Sequence, residues 1–169
     1  MKKRFAAIDL GSNNCRLLIV EKTNNKVSEI FRYSRVIKLG KNLSYNNEFS
    51  DETINYTTKI FKIMANKMNF YNVDDYRCVA TQACRESINA QNLINKIFTD
   101  SKLKIEIISP KEEARLCFES TKFYKNKYDY NMVFDIGGGS TEIIFLDSQK
   151  KISDFNFISL PFGVINLNE

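Results

Sequence analysis

Ala7-Ile8-Asp9-Leu10-Gly11-Ser12-Asn13-Asn14 and Val133-Phe134-Asp135-Ile136-Gly137-Gly138-Gly139-Ser140 carry one pattern written twice: an apolar run, an Asp, then a glycine turn with small polar residues. Each is followed by a second apolar run, Leu17-Leu18-Ile19-Val20 and Ile143-Ile144-Phe145-Leu146, so each reads as strand, tight turn, strand. Turns of this kind bind anions. Gly11 and the run Gly137, Gly138, Gly139 are expected to adopt φ > 0 and bring N–H groups close to a phosphate, with Ser12, Asn13, Ser140 and Thr141 adding side-chain donors. Asp9 and Asp135, beside those turns, can hold a hydrated Mg²⁺ against the phosphates. A single Asp-x-Gly is commonly a plain hairpin turn; its repetition in register with both flanking strands argues for a grip on a phosphate chain from two sides.

With 43% apolar residues over 169 positions, the chain can bury one good core, or one core and part of another. The net charge of +5 comes with scattered lysines and no basic block for nucleic acid, although it favours a polyanionic ligand. No apolar run approaches the ~20 residues of a membrane span, and the Met-Lys-Lys-Arg start leads at once to Asp9 rather than to a signal-peptide core. The expectation is a cytoplasmic protein with neither a membrane nor a specific nucleic acid as partner. Cys15, Cys78, Cys84 and Cys117 are widely spaced and make no C-x-x-C pair, which reads as buried, reduced thiols. Histidine is absent, so His-based zinc sites and Ser-His catalysis are excluded, and any general base must be a carboxylate.

After the first hairpin, Val27 to Leu39 predicts a third strand and Lys41 to Glu48 a polar loop. Ser50 caps a helix with Ile54, Thr57, Phe61, Met64 and Met68 at helical spacing. Tyr76 to Ala80 predicts a strand, Thr81 to Glu86 a polar turn or short helix, and Asn89 the cap of a helix carrying Leu93, Ile94, Ile97 and Phe98. Leu103 to Ile108 predicts a fifth strand. The order suggests one sheet with helices on its faces. Lys122 to Asn131 reads as a boundary, after which Met132 to Ile136, Thr141 to Asp147 and Ile152 to Leu160 restart the strand pattern. The expected organisation is a first domain over residues 1–125 and, over 126–169, the truncated three-stranded opening of a second, whose Val133, Ile143, Phe145, Phe155, Phe157 and Ile158 need covering.

Ser109-Pro110-Lys111-Glu112-Glu113 opens a third helix, with Ser109 as N-cap, Pro110 at the first position and Glu112 as capping-box partner. Glu113 is not used by that cap and sits where a strand feeds a helix, at the crevice edge of such sheets. A carboxylate there can activate water, or it can be an exposed first-turn acid. Arg85 follows the strand ending at Ala80; its fork suits phosphate oxygens, or an ion pair with Glu86 or a neighbour. Arg16 and Glu142 hold equivalent places in the second strands of the two hairpins and are candidates of the same kind.

Together with Ala80-Thr81-Gln82-Ala83-Cys84-Arg85, Ile107-Ile108-Ser109-Pro110-Lys111-Glu112-Glu113-Ala114-Arg115-Leu116, Thr141-Glu142 and Ser159-Leu160-Pro161-Phe162-Gly163, the two loops resemble the exopolyphosphatase/guanosine pentaphosphate phosphohydrolase (Ppx/GppA) family in order and spacing. The resemblance implies an α/β, actin-like ATPase (RNase H-like) fold: a mixed sheet flanked by helices, the start of a second similar domain, and a cleft between them. It also implies that Glu113 is the glutamate activating the attacking water and that Asp135 and Glu142 are carboxylates associated with metal and water. Arg85 then orients phosphates, and the glycine loops with Asn13 form the phosphate cradle. Members of the family often have Gly where this chain has Pro110, which removes a backbone donor near Glu113.

The reading is a Mg²⁺-dependent phosphoanhydride hydrolase, or its N-terminal portion, acting on inorganic polyphosphate or guanosine pentaphosphate. Its expected catalytic residues are Glu113, Arg85 and Glu142, and its metal residues Asp135 and Asp9. The phosphate residues are Gly11, Ser12, Asn13, Asn14 and Arg16 with Gly137, Gly138, Gly139, Ser140 and Thr141. A homodimer is left open. The alternatives are a non-catalytic module binding polyphosphate or an alarmone, and an ATP-using kinase of the same superfamily.

Overall fold

Strands β1 (Lys2–Leu10), β2 (Asn14–Thr23) and β3 (Lys26–Val36) form an antiparallel meander in which Ala6, Ile8 and Leu10 of β1 and Cys15, Leu17 and Ile19 of β2 turn inward, as the period of two requires. The computed structural model describes residues 2–24, 26–41, 43–121, 130–147, 155–165 and 167. After β3 the chain makes α1 (Leu43–Asn46), α2 (Asp51–Phe70), β4 (Asp75–Ala80), α3 (Gln82–Glu86), α4 (Ala90–Ser101) and β5 (Glu106–Ile107). Strands β4 and β5 add in parallel beside β1, giving the order β3-β2-β1-β4-β5.

The Ser50 side chain accepts from the Thr53 N–H at 3.2 Å, and the predicted stripe of α2 is buried along its whole length. Phe61 and Met64 of α2 join Leu93 and Ile97 of α4 in the core over the inward face of β1 and β2. Helix α4 departs from expectation in two places. Phe98 is 43% exposed, and Asn89 makes no side-chain cap bond. The Asn89 amide instead bridges the backbone of Phe49, accepting from its N–H at 2.8 Å and donating to its C=O at 2.9 Å, so it ties the entry of α4 to the entry of α2.

Helix α5 (Pro110–Thr121) follows β5 but packs on the second sheet, β6 (Tyr130–Ile136), β7 (Thr141–Asp147) and β8 (Asn156–Leu160), an antiparallel meander in that order. Ala114 and Phe118 bury against Ile144 and Phe155, with Val133 and Phe157 at the edge of the cluster. Val133, Phe155 and Phe157 therefore find their cover within the chain. The opposite face carries Met132, Phe134, Ile136, Phe145 and Ile158 into solvent, Phe134 at 59% exposure.

Element boundaries shift where backbone is diverted. β3 ends at Val36 because Ile37 and Lys38 donate to the Asn13 C=O instead of to a neighbouring strand. The expected polar loop contains α1, and only Glu106–Ile107 of the expected fifth strand pairs with β4. Most of the boundary at 122–131 and the start of the last expected strand, 152–154, lie outside the described residues.

Thr57 is fully buried on α2, and its hydroxyl alone among the described buried side-chain polar atoms lacks a partner. A buried hydroxyl without a bond costs ~1–3 kcal/mol, so Thr57→Val, which keeps the shape, should stabilise the fold by about 1 kcal/mol in urea unfolding. A loss of stability would show that the hydroxyl is bonded.

Candidate active site

The two hairpins are superposable in hydrogen bonding as well as in sequence. Gly11 N–H donates to the Asn14 C=O at 3.0 Å, and Gly137 N–H to the Ser140 C=O at 2.9 Å. Asp9 stands opposite Arg16 across its hairpin, and Asp135 opposite Glu142 across the other. The repeat extends to the chain beyond each third strand. Gly40 N–H donates to the Ser12 C=O at 2.8 Å, and Ile165 N–H to the Gly138 C=O at 2.8 Å, so each glycine loop is strapped from behind by the segment that follows its meander.

Glycine serves these loops differently from the expectation. No glycine among the described residues has a positive φ. The requirement is space: a Cβ on Gly138 would lie 3.1 Å from the Asn13 nitrogen, one on Gly139 would run into the Gln82 amide, and one on Gly163 into the Gly137 carbonyl. The second loop rests directly on the first, and glycine is what lets the two backbones meet.

The loops floor a cleft of about 280 Å³ whose walls bring together Asp9, Asn13, Asn14, Arg16, Glu113, Asp135, Ser140 and Glu142. Two expected residues are set back from it. The Thr141 hydroxyl donates to the Phe162 C=O at 2.9 Å. Arg85 stands behind Glu113, its Nη1 donating to Glu113 Oε2 at 2.8 Å and to the Ile108 C=O at 2.9 Å. Ser12 lines the cleft, but its hydroxyl donates to Gln82 Oε1 at 2.9 Å, so that proton is already committed and the side-chain donor expected of Ser12 is not free for a phosphate.

Four carboxylates share this cleft with Arg16. Burial pushes Glu113 above its ordinary value, outweighing Arg85, with Glu142 and Asp135 acting in the same direction. Burial also raises Asp9; Arg16, 3.4 Å away, opposes the shift and Asp135 adds to it. Glu142 is 1% exposed and accepts from the Ser159 hydroxyl at 2.9 Å. Glu112 presents the contrary case. Its N–H donates to Ser109 Oγ at 3.2 Å, the expected half of the capping box. The other half is missing, because Arg115 Nε at 2.6 Å and Arg77 Nη1 at 2.9 Å hold the carboxylate, and they bring it down to about 2. Adjacent glutamates are thus set apart, one fixed as an ion in an arginine clamp and one in a buried cleft where it can take a proton.

Sequence reasoning missed Gln82. It is 7% exposed, opens α3 and touches both loops, but a glutamine between Thr81 and Ala83 carries no local sign of that role in the sequence.

A three-stranded meander extended by parallel strands, then a second meander whose loop faces the first across a carboxylate-lined cleft, is the actin-like ATPase fold. The sequence model of the Ppx/GppA phosphatase family matches residues 18–169, and the chain belongs to that family. It is 38% identical over 176 aligned residues to a bifunctional 3-dehydroquinate synthase/phosphatase of Fusobacterium nucleatum, covering 97% of this chain and 26% of that protein. Among solved structures, a Ppx/GppA family member from Aquifex aeolicus superposes with a TM-score of 0.84 at 29% identity, over 99% of this chain and 54% of that one. An exopolyphosphatase from Cytophaga hutchinsonii shares the fold with a TM-score of 0.91 at 24% identity, over 98% and 53%. The chain thus spans about half the length of these solved relatives and about a quarter of the curated one.

The contact between loops makes a graded expectation. Gly139→Ala must displace a buried, hydrogen-bonded amide and should cost ~1–3 kcal/mol in urea unfolding, as overpacking does. Gly11→Ala, whose Cβ would lie 3.3 Å from the Asn14 oxygen, should cost less. The reverse order would mean that the loops do not abut.

Proposed function

We propose that the chain forms the phosphate-gripping part of a phosphoanhydride hydrolase that removes terminal phosphate from inorganic polyphosphate or guanosine pentaphosphate. The observation that supports this most is Glu113: a cleft carboxylate with a raised proton affinity, on the helix between two facing glycine loops. In this reading loop N–H groups other than those of Gly11 and Gly137, which close the hairpins, hold the terminal phosphate with the Asn13 side chain. Glu113 accepts a proton from water attacking in line, and Arg85, set back behind it, holds the Glu113 carboxylate in place through Nη1. The mild net charge of +5 favours a polyanionic substrate over a neutral one.

Mg²⁺ fits the residues present. Asp9 and Asp135 are hard oxygen donors on opposite loops, close enough that Asp135 raises the proton affinity of Asp9. Mg²⁺ is commonly held by one or two carboxylates while keeping several waters and leaning on substrate phosphates. When bound it would neutralise charge building on the transferred phosphoryl group.

The two sheets are read as parts of two units, residues 1–125 and 126–169, and the open apolar face at Phe134 is the surface a homodimer would use. No helix among the described residues is long and apolar enough to cross a membrane; the four unpaired cysteines support a reducing, cytoplasmic location. The alternative is a non-catalytic module that binds polyphosphate or an alarmone.

Phosphate release from polyphosphate and from guanosine pentaphosphate, with and without Mg²⁺, tests the reading. Glu113→Gln should lower turnover by ~10²–10⁴-fold and leave polyphosphate binding nearly intact. Binding with no turnover in the unaltered chain would select the module instead.

Turnover needs the ionised Glu113, so the acid limb of the pH profile should lie above the ordinary carboxylate value of 4.5. Stability runs the other way for this group. A raised folded value favours the protonated form, so its contribution is full below 4.5 and lost as pH rises through the folded value. Glu112, held at about 2, contributes above 4.5 and loses that contribution as pH falls towards 2. An acid limb at or below 4.5 would remove Glu113 as the base.

A further inference from the structure

We infer that Gln82 is a positioning residue that sets the spacing of the two phosphate loops and so the affinity for a phosphate held by both. The inference rests on the phosphate-binding reading of the cleft. Helix α3, which Gln82 opens, is fastened to the first sheet: Thr81 N–H donates to the Leu10 C=O at 3.2 Å, at the end of β1, and Ala83 and Cys84 are buried in the core. From that fixed base the Gln82 side chain reaches under the loops. Its Oε1 accepts from Ser12 Oγ at 2.9 Å, in a fully buried bond between residues 70 apart in sequence.

Gly139 of the second loop lies against the same amide. A Cβ there would meet Gln82 Oε1, with Gln82 Cδ at 2.7 Å and Ser12 Oγ at 2.9 Å. The Gln82 amide and the Ser12 hydroxyl therefore form one platform, hydrogen-bonded to the first loop and in steric contact with the second. A side chain shorter by one methylene leaves the platform short of Ser12, and one lacking the acceptor orphans the buried Ser12 hydroxyl. Either change alters the gap in which both sets of N–H groups converge, and a phosphate bridging them senses that gap directly.

Gln82→Met keeps the volume and removes the acceptor, and Ser12→Ala removes the same bond from the other side. The measurements are the dissociation constant of polyphosphate with Mg²⁺, thermal melting, and amide hydrogen exchange at residues 11–14 and 137–140. Each single variant should weaken polyphosphate binding by about tenfold, a hydrogen bond's worth, at temperatures where it is fully folded. The double variant should be no weaker than the worse single one, since both remove one bond. A lowered melting temperature with wild-type affinity would mean a purely structural glutamine and would overturn the inference, as would additive losses in the double variant. Should the wild-type chain bind no polyphosphate, the phosphate reading itself fails, and the spacing role is decided by exchange alone: faster exchange in both loops of either variant upholds it, and unchanged exchange sinks it. If Gln82→Met does not fold, Ser12→Ala carries the same decision.

Discussion

The architecture hangs on one steric constraint, the direct contact of two glycine loops. Gly138 sits on the Asn13 backbone and Gly139 on the Gln82 amide and Ser12 hydroxyl, so the second loop meets the first closely, while Gly163 packs on the Gly137 carbonyl on its own side of the contact. Everything that faces the cleft inherits its position from that meeting. Asp135 ends up close enough to raise the proton affinity of Asp9 because their loops touch, not because any element joins them in sequence. The straps from Gly40 on one side and Ile165 on the other hold each loop to the segment that follows its own meander.

Helix α5 supplies the second constraint. Phe118 and Ala114 anchor it on the second sheet, while the clamp of Arg77 from β4 on Glu112 moors it to the first. Its first turn is thereby held between the sheets, where Glu113 can project into the cleft and Glu112 cannot. Burial on one side of the turn and arginines on the other give two neighbouring glutamates opposite proton affinities. Sequence alone distinguishes them only through the cap, and for a partly mistaken reason: Glu112 is taken up by Arg115 and Arg77 rather than by the Ser109 backbone.

Much of this was legible in the chain because it is local and repeated. The period of two in β1 and β2, the capped stripe of α2 and the in-register Asp-x-Gly turns all follow from neighbouring residues, and all appear in the structure. What escaped depends on partners far away. The role of glycine was assigned to φ > 0 because a turn is a local idea, whereas the crowding that demands it comes from another hairpin. Asn89 looked like a cap because caps are local; its amide is claimed by Phe49, 40 residues earlier. Gln82 and the packing of α5 on the second sheet belong to the same class of long-range fact.

The backbone of the two hairpins is duplicated, but their chemistry is not. At the position across from the aspartate, the first hairpin has Arg16 and the second has Glu142. Opposite charges facing across a strand pair stabilise it and like charges destabilise it, so the first hairpin is internally balanced and the second is not. Asp135 and Glu142 face each other with a Ser159 hydroxyl as the bond made to the buried Glu142. Such a pair is tolerable where something positive can come to it. A cation between the loops would relieve the repulsion on that side, while on the other Arg16 already offsets part of the charge of Asp9. The duplicated backbone thus carries two different charge sets, one loop whose aspartate is compensated by Arg16 and one whose aspartate faces a second acid.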